Sequence, residues 1–173
     1  MDKILNIVLA LAILGFLGYK FLWQVPKFSN GEEMPNFNAE LIDGNSFELK
    51  ELRGKYVLLD FWGSWCGPCR KDNPNLVKLY DEFKGKAFSD ASGFELVSVA
   101  IETNKESALS AIKMDGLTWP YHIILLDRFK SAIAKETGVR EIPTKYLLSP
   151  SGEVISVNES YENLQKFMQN KLK

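Results

Sequence analysis

Cys66 and Cys69 stand three positions apart, inside Trp65-Cys66-Gly67-Pro68-Cys69, and they are the only cysteines in the 173-residue chain. Thiols at that spacing can close and reopen a disulfide, which is two-electron chemistry. The attacking species is a thiolate, so one sulfur must be made acidic. A helix N-terminus does this, because its first N–H groups lack intrahelical acceptors and its dipole favours an anion. An apolar run, Tyr56 to Trp62, precedes the motif and an amphipathic segment follows Pro68, so Cys66 falls where a strand hands over to a helix. Gly67 is read as letting the backbone turn tightly. Pro68 suits a first helical position, where its missing N–H would have no partner. Cys69, one turn on, faces inward and can attack a mixed disulfide formed by Cys66.

Other uses of the pair fit less well. Zinc takes about four N, S or O ligands, and beyond these thiols the chain offers one histidine, His122. No metal site is expected. A purely structural disulfide across so short a loop would stabilise little. The Cys66–Cys69 disulfide is therefore the expected redox group, with no other cofactor. His122 lies in an apolar strand and reads as a core or edge histidine rather than a catalytic one.

Asp60 is the second chemical signal, an acid inside the apolar run Tyr56-Val-Leu-Leu-Asp-Phe-Trp62. Buried, it would be costly unless paired or neutralised, and its pKa would rise toward neutrality. It could then take the proton of Cys69 as that thiol attacks. The plainer alternative is an acid at an exposed strand edge. The third signal is Ile142-Pro143-Thr144, just before a strand. Pro143 is either a simple turn or a cis proline packed on the disulfide, which would leave the Ile142 backbone free to pair with an extended substrate.

These residues need positioning elements, and the chain supplies them in order. Phe37–Leu41 and Ser46–Glu48 flank Asp43-Gly44-Asn45 and read as a hairpin. Leu49–Leu52 is a single helical turn before Gly54. The run at 56–62 reads as a central strand covered on both faces. A helix is expected from Pro68 to Phe83, kinked at Pro74, then a strand at Phe94–Ile101 and a helix at Lys105–Met114. A strand at Tyr121–Leu126 and a short helix at Ser131–Thr137 come next. Strands at Lys145–Leu148 and Val154–Val157, then a helix at Ser160–Leu172, close the chain. Strands alternating with helices, closed by a hairpin and a helix, give an α/β sandwich with a mixed central sheet.

The first segment differs in kind. Ile4 to Tyr19 carries no formal charge, Lys20 interrupts, and the apolar run resumes to Val25. Such a helix rises about 33 Å, enough for a hydrocarbon core of about 30 Å. A cleaved signal would place a small-x-small site after the run, but Ala10-Leu11-Ala12 lies inside it. An uncleaved transmembrane anchor over 1–25 is expected, a linker over 26–33, and the folded domain over 34–173. Lys and Arg total 21 against 22 Asp and Glu, a net charge of −1. That balance offers no electrostatic attraction for nucleic acid.

Taken together, Asp60-Phe61-Trp62-x-x-Trp65-Cys66-Gly67-Pro68-Cys69 with Ile142-Pro143-Thr144 further on resembles the thioredoxin superfamily. Met34-Pro35-x-Phe37, Asp43-Gly44 and Leu52-x-Gly54-Lys55 resemble its TlpA/ResA-type branch. The resemblance implies a thioredoxin-like fold with an added N-terminal hairpin and a central insertion, at about residues 103–126. It implies a single-pass protein of the cytoplasmic membrane whose domain faces the extracytoplasmic or periplasmic side. There it would reduce protein disulfides, for instance in cytochrome c maturation, with electrons from a membrane thiol donor. An oxidase or isomerase, or a thiol peroxidase, are the alternatives. The peroxidase pattern would need Pro at 59 and Thr or Ser at 63, where this chain has Leu59 and Gly63. Thioredoxins commonly pair the buried acid with a Lys on the next central strand, yet Phe94–Ile101 has none. Glu102 or water is the expected substitute. ResA-type members often carry an acid three residues after the second cysteine, and Asp72 stands there with a shorter side chain.

Overall fold

The computed structural model describes residues 2–24 and 28–173, with side chains from 3 to 19 and from 28 onward. The elements run α1 (Asp2–Gln24), β1 (Asn38–Glu40), β2 (Ser46–Glu48), β3 (Tyr56–Trp62), α2 (Gly67–Phe83), β4 (Phe94–Ile101) and α3 (Lys105–Asp115). They continue as β5 (Tyr121–Leu125), α4 (Ala132–Glu136), β6 (Thr144–Leu148), β7 (Val154–Val157) and α5 (Tyr161–Lys171). Single 3-10 turns occupy Leu49–Leu52 and Arg128–Lys130.

The central sheet has the order β5-β4-β3-β6-β7. β3 pairs parallel with β4 and antiparallel with β6, and β4 pairs parallel with β5. β3 is thus the middle strand, and every one of its residues is buried. Side chains alternate across a strand, so its two sets enter different cores. Leu58 and Trp62 join Leu76, Leu79 and Phe83 of α2, Ala108 of α3 and Leu164 and Met168 of α5. Val57, Leu59 and Phe61 join Phe37, Phe47 and Leu52 of the hairpin region and Ile133 of α4. Helices cover both faces, as the strand–helix alternation predicts, and β1 and β2 form the expected antiparallel hairpin. Residues 103–126 contribute α3 and β5, and β5 widens the sheet beyond β4.

Local chemistry sets the ends of these helices. Asn104 and Ser160 cap α3 and α5 by accepting the N–H groups of Ser107 and Asn163. α2 runs through Pro74, which can offer no N–H to the Arg70 carbonyl one turn back.

Residues 2–24 form one helix, and every described side chain on it from 3 to 19 is exposed. Among the described residues, no helix is long and apolar enough to cross a membrane, so the expected transmembrane span is not met on that measure. The expected change from anchor to linker at 25–26 lies outside the described residues. Within the expected linker, Gly31 donates to Val154 at 2.8 Å, and Val154 returns a bond to Glu32 at 2.8 Å. The chain is therefore already paired with the end of β7 before Met34.

Candidate active site

Cys66 is the N-cap of α2, in extended conformation, and its sulfur accepts the Cys69 N–H at 3.2 Å. This is one of the donors a helix start leaves over, here aimed at the atom that must carry negative charge. The two sulfurs are bonded at 2.03 Å. A turn closed by Cys66 N–H to the Gly63 carbonyl, at 3.0 Å, delivers the chain from β3 to this cap. Pro68 lies in the first turn, as expected. Gly67 corrects its reading: a Cβ there would meet nothing within 4 Å, and its φ is not in the left-handed region. The turn does not need glycine at 67, and a side chain there would enter open space.

Gly63 is the glycine the geometry requires. A Cβ on it would lie 2.8 Å from Trp65 Nε1 and 3.1 Å from Ile142 Cδ1. Trp65 is held by its indole N–H, which donates to the Ile101 carbonyl at 2.7 Å, yet it is 49% exposed. The Arg128 guanidinium stacks 4.5 Å from the Trp65 ring centre. Arg128 adopts φ 53, a left-handed conformation unusual for a residue with a side chain. Ile142–Pro143 is a cis peptide, and Ile142 is partly buried beside Gly63 and Trp65.

Asp60 is 3% exposed, which settles its position against the exposed-edge alternative. It lies between Leu58 and Trp62 on β3, so it points to the face that α2 covers, where Cys69 packs. Register places Lys145 of β6 on one side of it and Ser98 of β4 on the other, with His122 of β5 opposite Ser98. Lys145-Asp60-Ser98-His122 thus forms a buried polar row across an apolar sheet face. Ser98 accepts the Trp119 indole N–H at 3.0 Å, and it stands beside Asp60 in the strand register. With its oxygen engaged by a donor-only indole, the Ser98 hydroxyl is free to donate to the carboxyl. Burial pushes Asp60 up to about 7; Lys145 opposes that rise, Asp72 adds to it, and the Ser98 hydroxyl opposes it.

The cation missing from β4 is therefore supplied from the other neighbour of β3. Lys145 is 9% exposed and its ammonium is bound to Asp72 of α2. Sequence reasoning passed over Lys145, although a lysine alternating with Thr144 and Tyr146 in an apolar strand was the available signal. Glu102, one of the two expected substitutes, serves elsewhere: it is buried and accepts the Ser64 N–H at 2.5 Å, fixing the loop before Trp65. Asp115 was also missed. Two Arg70 N–H groups and the Asn73 amide donate to its carboxylate, tying the end of α3 to the first turns of α2. His122 stacks on Trp119 at 5.4 Å, and burial pushes it down to about 4. It is a core histidine. Among the described residues, no cluster of three or more His, Cys, Asp or Glu is placed to hold a metal.

A sulfur capping a helix, a second sulfur one turn inward, a buried acid below and a cis proline beside them define a thioredoxin-like thiol-disulfide exchange site. The comparisons agree. The AhpC/TSA family profile matches residues 30–157, and the chain belongs to that family. It is 30% identical to "Thiol-disulfide oxidoreductase ResA" of Bacillus thuringiensis (strain Al Hakam) over 154 residues, covering 88% of this chain and 83% of the relative. The protein of the same name in Bacillus subtilis (strain 168) is 34% identical over 129 residues, covering 75% of this chain and 66% of the relative. The thioredoxin domain of a thiol-disulfide oxidoreductase from Bacteroides vulgatus superposes with a TM-score of 0.73 at 28% identity, covering 83% of this chain and 98% of that one.

Proposed function

We propose that this thiol-disulfide oxidoreductase works as a reductase of protein disulfides at the outer side of the cytoplasmic membrane. Reduced Cys66 would attack a substrate disulfide as a thiolate and release one substrate thiolate. Cys69 would give its proton to Asp60 and attack the Cys66 sulfur. That step forms the Cys66–Cys69 bond and expels the second substrate thiolate. The observation carrying this order of events is the Cys69 N–H directed at the Cys66 sulfur. It stabilises charge on the first sulfur and leaves the second to respond.

The remaining assignments belong to this reading. The exposed Trp65 face, Ile142 and Pro143 would receive the substrate backbone. α1, exposed along its described length, would anchor the chain in the membrane, with 1–25 as anchor, 26–33 as linker and 34–173 as domain. A membrane thiol donor would reload the pair. Apocytochrome c, the substrate class that the TlpA/ResA resemblance implies, is the proposed client.

Two measurements test this. The disulfide potential of the full chain is expected near −270 mV, as for thioredoxin, and a value near −120 mV would reverse the direction. Cys69→Ser in intact membranes is expected to trap partners on Cys66, released by reductant; a chain that traps none is not reducing proteins there.

A further inference from the structure

The charge beneath Cys69 is shared among three groups. Lys145 stands directly opposite Asp60 in the strand register, yet its ammonium is bound to Asp72, one turn beyond Cys69 on α2. Asp72 is 28% exposed in its side chain, and its other oxygen accepts the Asn75 amide at 3.0 Å. It therefore touches both a buried cation and water. The groups acting on Asp60 are Lys145 from β6, Asp72 from α2 and the Ser98 hydroxyl from β4. The disulfide packs on the same face from α2, and His122 ends the row on β5. One cation thus acts on two carboxylates, and in this structure it is bound to Asp72.

We propose that Lys145 is a positioning residue for disulfide exchange, alternating between Asp72 and Asp60, and that its partner decides whether Asp60 holds a proton. The structure, with its disulfide closed, shows the Asp72-bound arrangement. When Cys69 attacks, its S–H proton passes to the Asp60 carboxylate. The Cys69–Cys66 bond forms, and the bond from Cys66 to the substrate sulfur breaks with its electron pair on that sulfur. Asp60 is then neutral and Lys145 pairs with Asp72. When a reductant opens the disulfide, the Cys69 thiolate takes the proton back, and Lys145 returns to the ionised Asp60. One proton moves between Cys69 and Asp60 and none is gained or lost elsewhere, so protons and charges balance. The inference rests on the dithiol exchange and holds for either direction of electron flow, so it survives failure of the reductase assignment.

The opposing partners give opposite signatures. Lys145→Met removes the cation and is expected to raise the Asp60 titration midpoint. Asp72→Asn frees the cation and removes a like charge, and is expected to lower it. Each shift should be about one pH unit or more. Carboxyl-carbon NMR of the oxidised full chain in detergent reads the midpoint, and the pH profile of its reduction by dithiothreitol should move with it. Lys145→Arg should restore the wild-type profile. In a Lys145→Met background the Asp72→Asn shift should shrink, because the two act through one ion. An ion pair serving stability alone would lower the unfolding midpoint and leave the titration in place. Shifts of the same sign in the two variants, or none in either, would overturn the proposal. Should Lys145→Met fail to fold, Asp72→Asn decides alone: a lowered midpoint supports the switch, an unchanged or raised one removes it.

Discussion

A carboxyl pushed up to about 7 inside a sheet costs the folded state free energy whenever it is ionised. Its folded value lies above the ordinary 3.8, so the folded chain holds the proton more tightly than the unfolded one. The cost is absent below about pH 4, grows as pH rises through the folded value, and is constant above it. Asp60→Asn removes it. That variant is expected to unfold later in urea by on the order of 4 kcal/mol at pH 8, and with almost no difference near pH 4. It should also slow disulfide exchange at neutral pH by about 100-fold, since the acceptor for the Cys69 proton is gone. Equal stability differences at the two pH values would mean that Asp60 is not the strained group.

At the scale of elements, the segment between β3 and α2 is held at three points. Glu102 takes the Ser64 N–H, Ile101 takes the Trp65 indole, and the Gly63 carbonyl takes the Cys66 N–H. All converge because Gly63 lets Trp65 and Ile142 approach its α-carbon. Gly63→Ala places a methyl where Trp65 sits, so the Trp65–Ile101 bond must break or the strand end must move. The expected outcome is altered Trp65 fluorescence and an exchange rate lower by about tenfold or more. Gly67→Ala is the control, since its methyl enters open space; it should fold as well as the parent or better by under about 1 kcal/mol. Wild-type behaviour of Gly63→Ala would show that the loop can yield.

For the molecule as a whole, the described side chains of α1 contribute to neither core. Ile4, Leu11 and Phe16 are 71%, 64% and 64% exposed, and a row of apolar groups in water calls for apolar cover. The full chain is expected in the membrane fraction, released by detergent and not by high salt. A chain beginning at Phe28 is expected in the soluble fraction with an unchanged unfolding midpoint. Finding the full chain in the soluble fraction would refute the anchor, and a lowered midpoint in the shortened chain would show that α1 packs on the domain.

The sequence alone determined the elements and the redox pair. Period and punctuation are local, so β3, α2 and the start of the last helix at Ser160 were readable to within a residue or two. Cys66 at a strand-to-helix handover, and Asp60 inside an apolar run, also required only neighbours in the chain. Tertiary structure decided who stands beside whom. Lys145 lies far from Asp60 in sequence and directly opposite it in register, and its ammonium turns to a third element. Glu102, expected with water as the alternative at the buried acid, serves the Ser64 N–H, and Gly63 rather than Gly67 is the residue that close approach requires. The reason is physical: strand order and helix docking set such distances, and they follow from burying two apolar faces at once rather than from any local pattern.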